Sequence, residues 1–449
     1  MDGYMTTEKE YQATLDYLYS FVDYSLTHNL NKTSFVDTLD DMLALDEEAG
    51  RPHQAYPCVH IAGTKGKGST GALIAAALQA AGYKVGFYTS PHLEDFCERI
   101  QINRENISHS RFVGLIDSLK PAIESVGHVS TFDIATEAAF LYFAQEKVDV
   151  AIIEVGLGGR LDSTNVITPA VAVITSLSMD HMAVLGNSLE KIAAEKGGII
   201  KENRPVVASP QKPEAMLVIK EIAAKRNAEL FDSDVLYPSQ ILEHTLAHQL
   251  IDVSIQGQPS LRLDLPLLGD HQRENAITAF TALQVLKRSG FIISDEAIQQ
   301  GFHTVNWRGR FDILNRSPLV ISDSAHNLDS ALKLKQTLAN YLPEAHFVLV
   351  FGASEDKDIS GMFAQLLPLM DEVIFTQSIH PRSCKAEKLL ELAAEYPCKK
   401  AIAVPLEAAM IKSLHAAGKE KVVLVTGSIF VAAGAQLFFE NKLVTETVR

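Results

Sequence analysis

Apolar residues recur at three- and four-residue spacing over Tyr11 to Val22 and over Thr38 to Ala49, which predicts two helices at the start of the chain. Pro57 to Ala62 reads as a short buried strand. A glycine-rich turn follows, and Thr70 to Ala81 is a strong helix former closed by Gly82. Lys84 to Tyr88, Val148 to Val155 and Ala170 to Ser176 are further apolar runs of strand length. Such runs alternating with helices predict a mostly parallel sheet covered on both faces. Ser188 is placed to cap a helix that runs through Glu195 and Lys196.

Residues 241 to 265 change period. Ile251-Asp252-Val253-Ser254-Ile255 and Leu261-Arg262-Leu263-Asp264-Leu265 alternate apolar and polar around a Gly-Gln-Pro-Ser turn, which predicts an antiparallel hairpin appended to the sheet. Helix returns at Asn275 to Lys287. From about residue 311 a second strand–helix alternation begins, with strands expected at Leu319 to Ser322, Phe347 to Phe351, Val373 to Thr376, Ala401 to Val404 and Val422 to Val425. The pattern is α/β: an N-terminal domain over 1–308 with a mostly parallel sheet and a small hairpin, and a second Rossmann-like α/β domain over 309–449.

Composition narrows the function. The chain has 449 residues, 47% of them hydrophobic, enough to bury a sizeable core. Its net charge of −15 argues against nucleic-acid binding by backbone neutralisation. Cys58, Cys97, Cys384 and Cys398 form no CxxC pair and no metal-ligand spacing, which points to a reducing compartment, the cytoplasm. Met1 to Tyr11 is too polar for a signal peptide, and no apolar run has the roughly 18 residues of a membrane span.

The sharpest local signal is Gly63-Thr64-Lys65-Gly66-Lys67-Gly68-Ser69, which follows a strand and opens a helix. Glycines let the backbone approach a phosphate chain, amides at the helix start attract the anion, and Lys67 adds a point charge. The strict P-loop pattern is broken, because Gly68 follows Lys67 and the hydroxyl comes one place later at Ser69. Glu154 ends an apolar strand, where an acid faces the ligand crevice and suits Mg²⁺ beside a phosphate loop. The Gly156-Leu157-Gly158-Gly159-Arg160-Leu161-Asp162 turn suits a substrate-facing loop, with Arg160 and Asp162 as its charges. His181 leaves a strand end on the same rim, a place from which it would reach metal. Lys196 alone reads as a surface lysine, and Asp323-Ser324-Ala325-His326-Asn327 as a strand-to-helix turn capped by Asn327.

Taken together, these segments resemble the folylpolyglutamate synthase and dihydrofolate synthase family of Mur-type ATP-dependent amide ligases. The resemblance rests on an ordered set: HIAGTKGKGST at 60–70, TSPHL at 89–93, ERI at 98–100, EVGLGGRLDSTN at 154–165 and ITSLSMDHMAVLGNSLEKIAAEKGGIIK at 174–201. GDHQRENA at 269–276, DSAHN at 323–327, FGASEDKD at 351–358, HPR at 380–382 and VTGS at 425–428 complete it. The resemblance implies that ATP phosphorylates a carboxylate of folate or dihydropteroate. The amine of L-glutamate then displaces phosphate, with two Mg²⁺ ions offsetting charge.

Carried over by position, Gly63, Thr64, Lys65, Gly66, Lys67, Gly68 and Ser69 would cradle the phosphates. Ser90 and Glu154 would ligate Mg²⁺, His181 the second ion, and Lys196 would be carbamylated. Asn275 and Arg310 would reach the nucleotide from the other side of the crevice. Asp323 would bind nucleotide, and His326, Arg160 and Asp162 the substrate. A monomer is expected, with no nucleic acid or membrane partner. The chain departs from the family at Lys65, where Asn is frequent, and at Gly197, Gly198 and Arg308. It departs again at Ser324, where glycine is usual and the turn is expected to change. Leu26 to Leu45 resembles the pterin-side loop poorly. The competing readings are a Mur-type ligase for a non-folate acid, a P-loop ATPase or nucleotide-binding regulator, and a catalytically dead binding protein.

Overall fold

The computed structural model describes residues 8–21, 38–378 and 380–447. Of the N-terminal segment at 26–45, residues 26–37 lie outside the described residues. The chain divides into two compact units. The first comprises Met1–Ile241, Leu250–Leu265 and Gln272–Val305, and the second Leu242–Gln249, Pro266–His271 and Asn306–Arg449.

The first unit is built on an eight-stranded sheet. In spatial order the strands are Glu105–Asn106, Ile100–Ile102, Val85–Tyr88, Val150–Glu154, Cys58–Ala62, Val171–Ile174, Val206–Ala208 and Leu230–Asp232. Neighbours from Val85–Tyr88 onward are parallel, and the first two strands add an antiparallel edge. The three central strands are buried at every position, as parallel strands covered on both faces must be. Helices His109–Val126 and Thr131–Gln145 pack on one another, and their apolar residues share a core with Cys58, Tyr88, Ala151 and Ile153 of the sheet. Ser108 caps the first, and Ser130 with Asp133 forms a capping box on the second.

The helix Lys67–Ala80 lies against the strands Val85–Tyr88 and Val150–Glu154 and is itself covered by the helix Asp295–His303. Their contact is backbone on backbone: a Cβ at Gly301 would stand 2.4 Å from the Cα of Ala77. Alanines and glycines in Lys67–Ala80 permit this close approach, which anchors the helix that begins at the phosphate loop.

The expected hairpin is present, with one difference. Gln249–Val253 and Leu261–Leu265 join Ser239–His244 in a separate three-stranded sheet rather than extending the main one. Ser239–His244 is mostly exposed and carries too few apolar positions to announce itself.

The second unit holds a six-stranded sheet ordered Asp312–Arg316, Leu319–Ser322, Val422–Thr426, Phe347–Phe351, Met370–Phe375, Lys399–Ile402. The first pair is antiparallel and the rest are parallel. Separate apolar clusters cover its two faces. Among the described residues no helix is long and apolar enough to cross a membrane.

Gly301→Ala should cost about 1–3 kcal/mol, because the added methyl meets backbone that has no rotamer to yield. Thermal unfolding should show a lower Tm than that of the unsubstituted protein, and an unchanged Tm would mean that the two helices separate freely.

Candidate active site

Parallel register brings three strand ends to one rim. Ile61 pairs with Glu154, and Ala62 with Ile174. The loop that leaves Ala62 therefore starts between an acid on one side and the Thr175–Asp180 segment on the other. Gly63 (φ 157°) is forced, since a Cβ there would fall 1.8 Å from Thr175 Oγ1. Gly66 (φ 84°) is forced too, because its Cβ would fall 2.1 Å from Asn275 Oδ1.

The amides of Thr64 and Lys65 both donate to the Ser176 carbonyl, at 3.0 and 3.1 Å. The Thr64 hydroxyl donates to Ser178 O at 3.2 Å. The first half of the loop is thus bound to the neighbouring strand's exit. The second half opens the helix Lys67–Ala80, which has no side-chain cap. The first amides of a helix lack partners within it and carry the positive end of its dipole, so this half has the chemistry to hold an anion. Ser69 is buried just inside.

Two lysines of the loop are paired with acids. Lys67 Nζ lies 3.7 Å from Glu154 Oε1, and Lys65 Nζ lies 3.3 Å from Asp180 Oδ2. Glu154 is 3% exposed, accepts the Thr89 hydroxyl and takes the Ser90 amide at 3.4 Å. Glu154 with the Thr89 hydroxyl, and Ser90 next along the chain, offers oxygen donors of the kind a hard divalent ion such as Mg²⁺ takes.

His181 follows Asp180 on the segment that leaves the strand Val171–Ile174. It is exposed, adopts a left-handed φ of 47° and starts the short helix Met182–Leu185. Its Nε2 lies 3.9 Å from Asp180 Oδ1, and Glu154, Asp180 and His181 do not close into a single ligand cluster. Among the described residues the one group of three such side chains within 4.8 Å is Asp95, Cys97 and His109. There Asp95 already accepts from Tyr11, Cys97 N and His109, and the group ties the N-terminal helix to the turn after Ser90.

Lys196 is buried at 5% exposure in the helix Leu189–Gly197, capped by Ser188. Burial, reinforced by the nearby Lys67 charge, lowers its amine to a pKa of about 7. The sequence-based surface position is thereby corrected. Gly159 lies against this lysine, its would-be Cβ 3.0 Å from Lys196 Cα, and a Cβ at Gly198 would strike Arg160. Arg160 pairs with Glu195 at 2.9 Å. Asp162 is also buried, and its oxygens accept from Leu157 N at 2.8 Å and Thr164 N at 3.1 Å. Its carboxylate shapes the loop from within and does not face outward.

Asn275 belongs to the same compact unit as the phosphate loop, so the expectation that it approaches from the opposite side is corrected. It is buried, packs over Gly66 and donates to Gln272 Oε1 at 2.9 Å.

In the second unit, Asp323 accepts from Phe311 N at 3.0 Å and Ala325 N at 2.9 Å. Burial pushes its carboxyl up, and the Arg310 charge opposes this. His326 Nδ1 lies 2.9 Å from Ser324 O, and Asn327 caps the next helix through a box with Ser330. Ser324 is outside the left-handed region, so this turn does not need the glycine it replaces. Its hydroxyl is buried without a partner.

The sequence reading assigned no role to a second cluster here. Lys357 and Arg382 flank Asp356 at 3.5 and 3.8 Å, held by a bridge between Ser354 and Ser383. Arg382 Nε is buried without a partner. The signal was in the sequence as FGASEDKD and HPR, but only folding brings the two motifs together.

Residues 61–283 match the Mur ligase middle domain, and residues 309–429 the Mur ligase glutamate ligase domain. The chain is 36% identical to the dihydrofolate synthase/folylpolyglutamate synthase of Bacillus subtilis, over 90% of this chain and 96% of that one. It is 32% identical to the folylpolyglutamate synthase of Lacticaseibacillus casei, over 95% and 98%. Its structure is similar to Mycobacterium tuberculosis folylpolyglutamate synthase complexed with ADP and AMPPCP, with a TM-score of 0.87, 30% identity and coverage of 96% and 98%. It is likewise similar to Escherichia coli FolC in complex with DHPP and ADP, with a TM-score of 0.85, 30% identity and the same coverage.

Gly66→Ala should weaken ADP binding about tenfold or more, since the methyl displaces Asn275 and a left-handed φ strains alanine. Calorimetric titration reads this directly, and affinity within twofold of the unsubstituted protein would place the anion elsewhere.

Proposed function

Because the chain belongs to the folylpolyglutamate synthase and dihydrofolate synthase family of Mur-type ATP-dependent ligases, we propose that it joins L-glutamate to a folate carboxylate through an acyl phosphate. The observation that carries this reading is the rim of the first unit, where a phosphate loop, an acid with neighbouring hydroxyls and a buried lysine of lowered pKa stand together. Dihydropteroate is the second candidate acid.

The loop amides from Gly66 to Ser69 receive the ATP phosphates, helped by Gly63, Thr64 and Lys65, which fix the loop's shape. Lys67 leaves Glu154 and moves its charge to the terminal phosphate. Ser90 and Glu154 would hold one Mg²⁺ and His181 a second, and bound Mg²⁺ would offset charge on the phosphoryl oxygens. The folate carboxylate oxygen attacks the γ-phosphorus, and ADP leaves. The glutamate amine then attacks the acyl carbon, loses a proton and expels phosphate.

Asn275 steadies the loop beneath the nucleotide. Arg310 and Asp323 are proposed as nucleotide contacts, His326 as a substrate contact, and Arg160 as a positive group for the folate tail. Asp162 supports that loop from inside. Lys357 and Arg382 suit a carboxylate of the incoming glutamate, because an orphaned buried guanidinium N–H seeks an acceptor. The enzyme is proposed to act as a monomer, since one chain carries every motif. The four free cysteines fit the cytoplasm.

Lys196 is proposed to be carbamylated. Its neutral amine adds to CO₂ and loses a proton, giving an anion that positions water or metal. With a pKa of about 7 the amine is largely ammonium, and unreactive, below that value. Turnover should therefore fall as pH drops through 7, and added bicarbonate should restore part of what is lost near 7. Lys196→Ala should lose turnover while keeping its Tm within a few degrees. Full activity with an unmodified mass at Lys196 would refute the carbamate.

The direct test is mass-resolved product formation with ATP, Mg²⁺ and labelled glutamate, offering tetrahydrofolate and dihydropteroate separately. Product with tetrahydrofolate supports a polyglutamylating enzyme, and product with both a bifunctional one. Product with neither, while ADP still binds, would replace folate by another carboxylic acid. Lys67→Ala should abolish product and preserve the fold.

A further inference from the structure

His60 is out of character for its surroundings. It sits in Cys58–Ala62, a strand otherwise made of apolar residues, and is fully buried. An imidazole there costs desolvation, and its Nδ1 has no hydrogen-bond partner. Burial pulls its pKa down to about 3, so the ring is neutral. A leucine or valine would pack there without these penalties, so the ring must return something that an apolar side chain does not.

That return is a single hydrogen bond. His60 Nε2 lies 2.9 Å from the Thr164 hydroxyl. The direction of the bond is determined by what lies beyond. The Thr164 hydroxyl donates its only proton to Asp162 Oδ1 at 2.5 Å, so it accepts from His60, which carries its proton on Nε2. Asp162 accepts from Thr164 N through the same oxygen and from Leu157 N through the other, at 3.1 and 2.8 Å. Its two oxygens thus grip both ends of the turn that follows Glu154.

The turn in turn grips the helix of Lys196. Arg160 N donates to Glu195 O at 2.8 Å. Asn165 Nδ2 bridges Arg160 O and Gly198 O at 2.9 and 3.2 Å. A Cβ at Gly159 would stand 2.8 Å from Glu195 O and 3.0 Å from Lys196 Cα, so the loop backbone packs directly on that helix. The strand that launches the phosphate loop is thereby wired, through three side chains, to the loop that walls in Lys196.

We propose that His60 is a positioning residue for the ligase reaction, holding the Gly156–Asp162 loop against Lys196 through Thr164 and Asp162. It touches no substrate. Loss of its donor leaves Thr164 with an empty acceptor site and frees the loop to take other arrangements.

The test uses the full chain with His60→Leu, His60→Gln, Thr164→Val and Thr164→Ser. Glutamine places an N–H near the former Nε2, and serine keeps the hydroxyl. His60→Leu and Thr164→Val should exchange the amides of 156–162 faster and lower kcat about ten- to a hundredfold, while ADP affinity stays within about twofold. His60→Gln and Thr164→Ser should recover most of both losses. The His60→Leu/Thr164→Val double variant should be no worse than either single one, as members of one chain of bonds are not additive.

A merely structural role predicts a lowered Tm without a specific kcat loss and no rescue by glutamine, and that pattern would overturn the proposal. So would unchanged exchange and kcat in His60→Leu. If His60→Leu does not fold, Thr164→Val and its serine counterpart decide the question alone. The kcat arm rests on the ligase reading above. If the unsubstituted chain ligates no glutamate to folates, that reading fails, while the amide-exchange arm still judges the relay.

Discussion

Everything at the candidate site depends on the parallel register of three neighbouring strands. Pairing Ile61 with Glu154 and Ala62 with Ile174 brings their carboxyl ends level. A shift of one residue would turn Glu154 to the opposite face of the sheet and separate it from Lys67. The register is held by burial on both faces rather than by the site itself, whose ion pairs offset part of the cost of removing their charges from water. The hydrophobic core therefore does the positioning, and the glycines admit loops into the narrow space it leaves.

Much of this was legible beforehand. The phosphate loop, the strand ends and the caps at Ser188 and Asn327 are local signals, carried by a few consecutive residues. What escaped depends on residues far apart in sequence. The family resemblance places Asn275 across the crevice, yet more than two hundred residues along the chain from Gly66 it packs directly over that glycine. Lys196 by itself reads as a surface lysine and gains a role only through the family resemblance; in the fold it is buried, with Gly159 packed against its backbone. Asp162 is read from the sequence as one of the two charges of a substrate-facing loop, and its burial is what the sequence does not announce. The Thr164 hydroxyl and the backbone of Leu157 turn it inward.

The second unit gives the same lesson with a different outcome. Glycine is usual in the family where this chain has Ser324, and its loss is expected to alter the turn. The backbone there is not left-handed, so the side chain is accommodated, although its hydroxyl is left without a partner. The clustering of Lys357, Asp356 and Arg382 requires the Ser354–Ser383 bridge, which no periodicity in either segment announces.

The carbonyl of Ser176 receives two amides from the phosphate loop. A loop bound in this way has surrendered its conformational freedom during folding. A nucleotide bound there, as proposed, would meet a surface already in its final shape, so little of the binding energy would be consumed in ordering backbone. The adaptation left to make would be electrostatic, with Lys65 and Lys67 exchanging carboxylate partners for phosphates. Affinity for nucleotide should accordingly respond more to ionic strength than to anything that stiffens the chain.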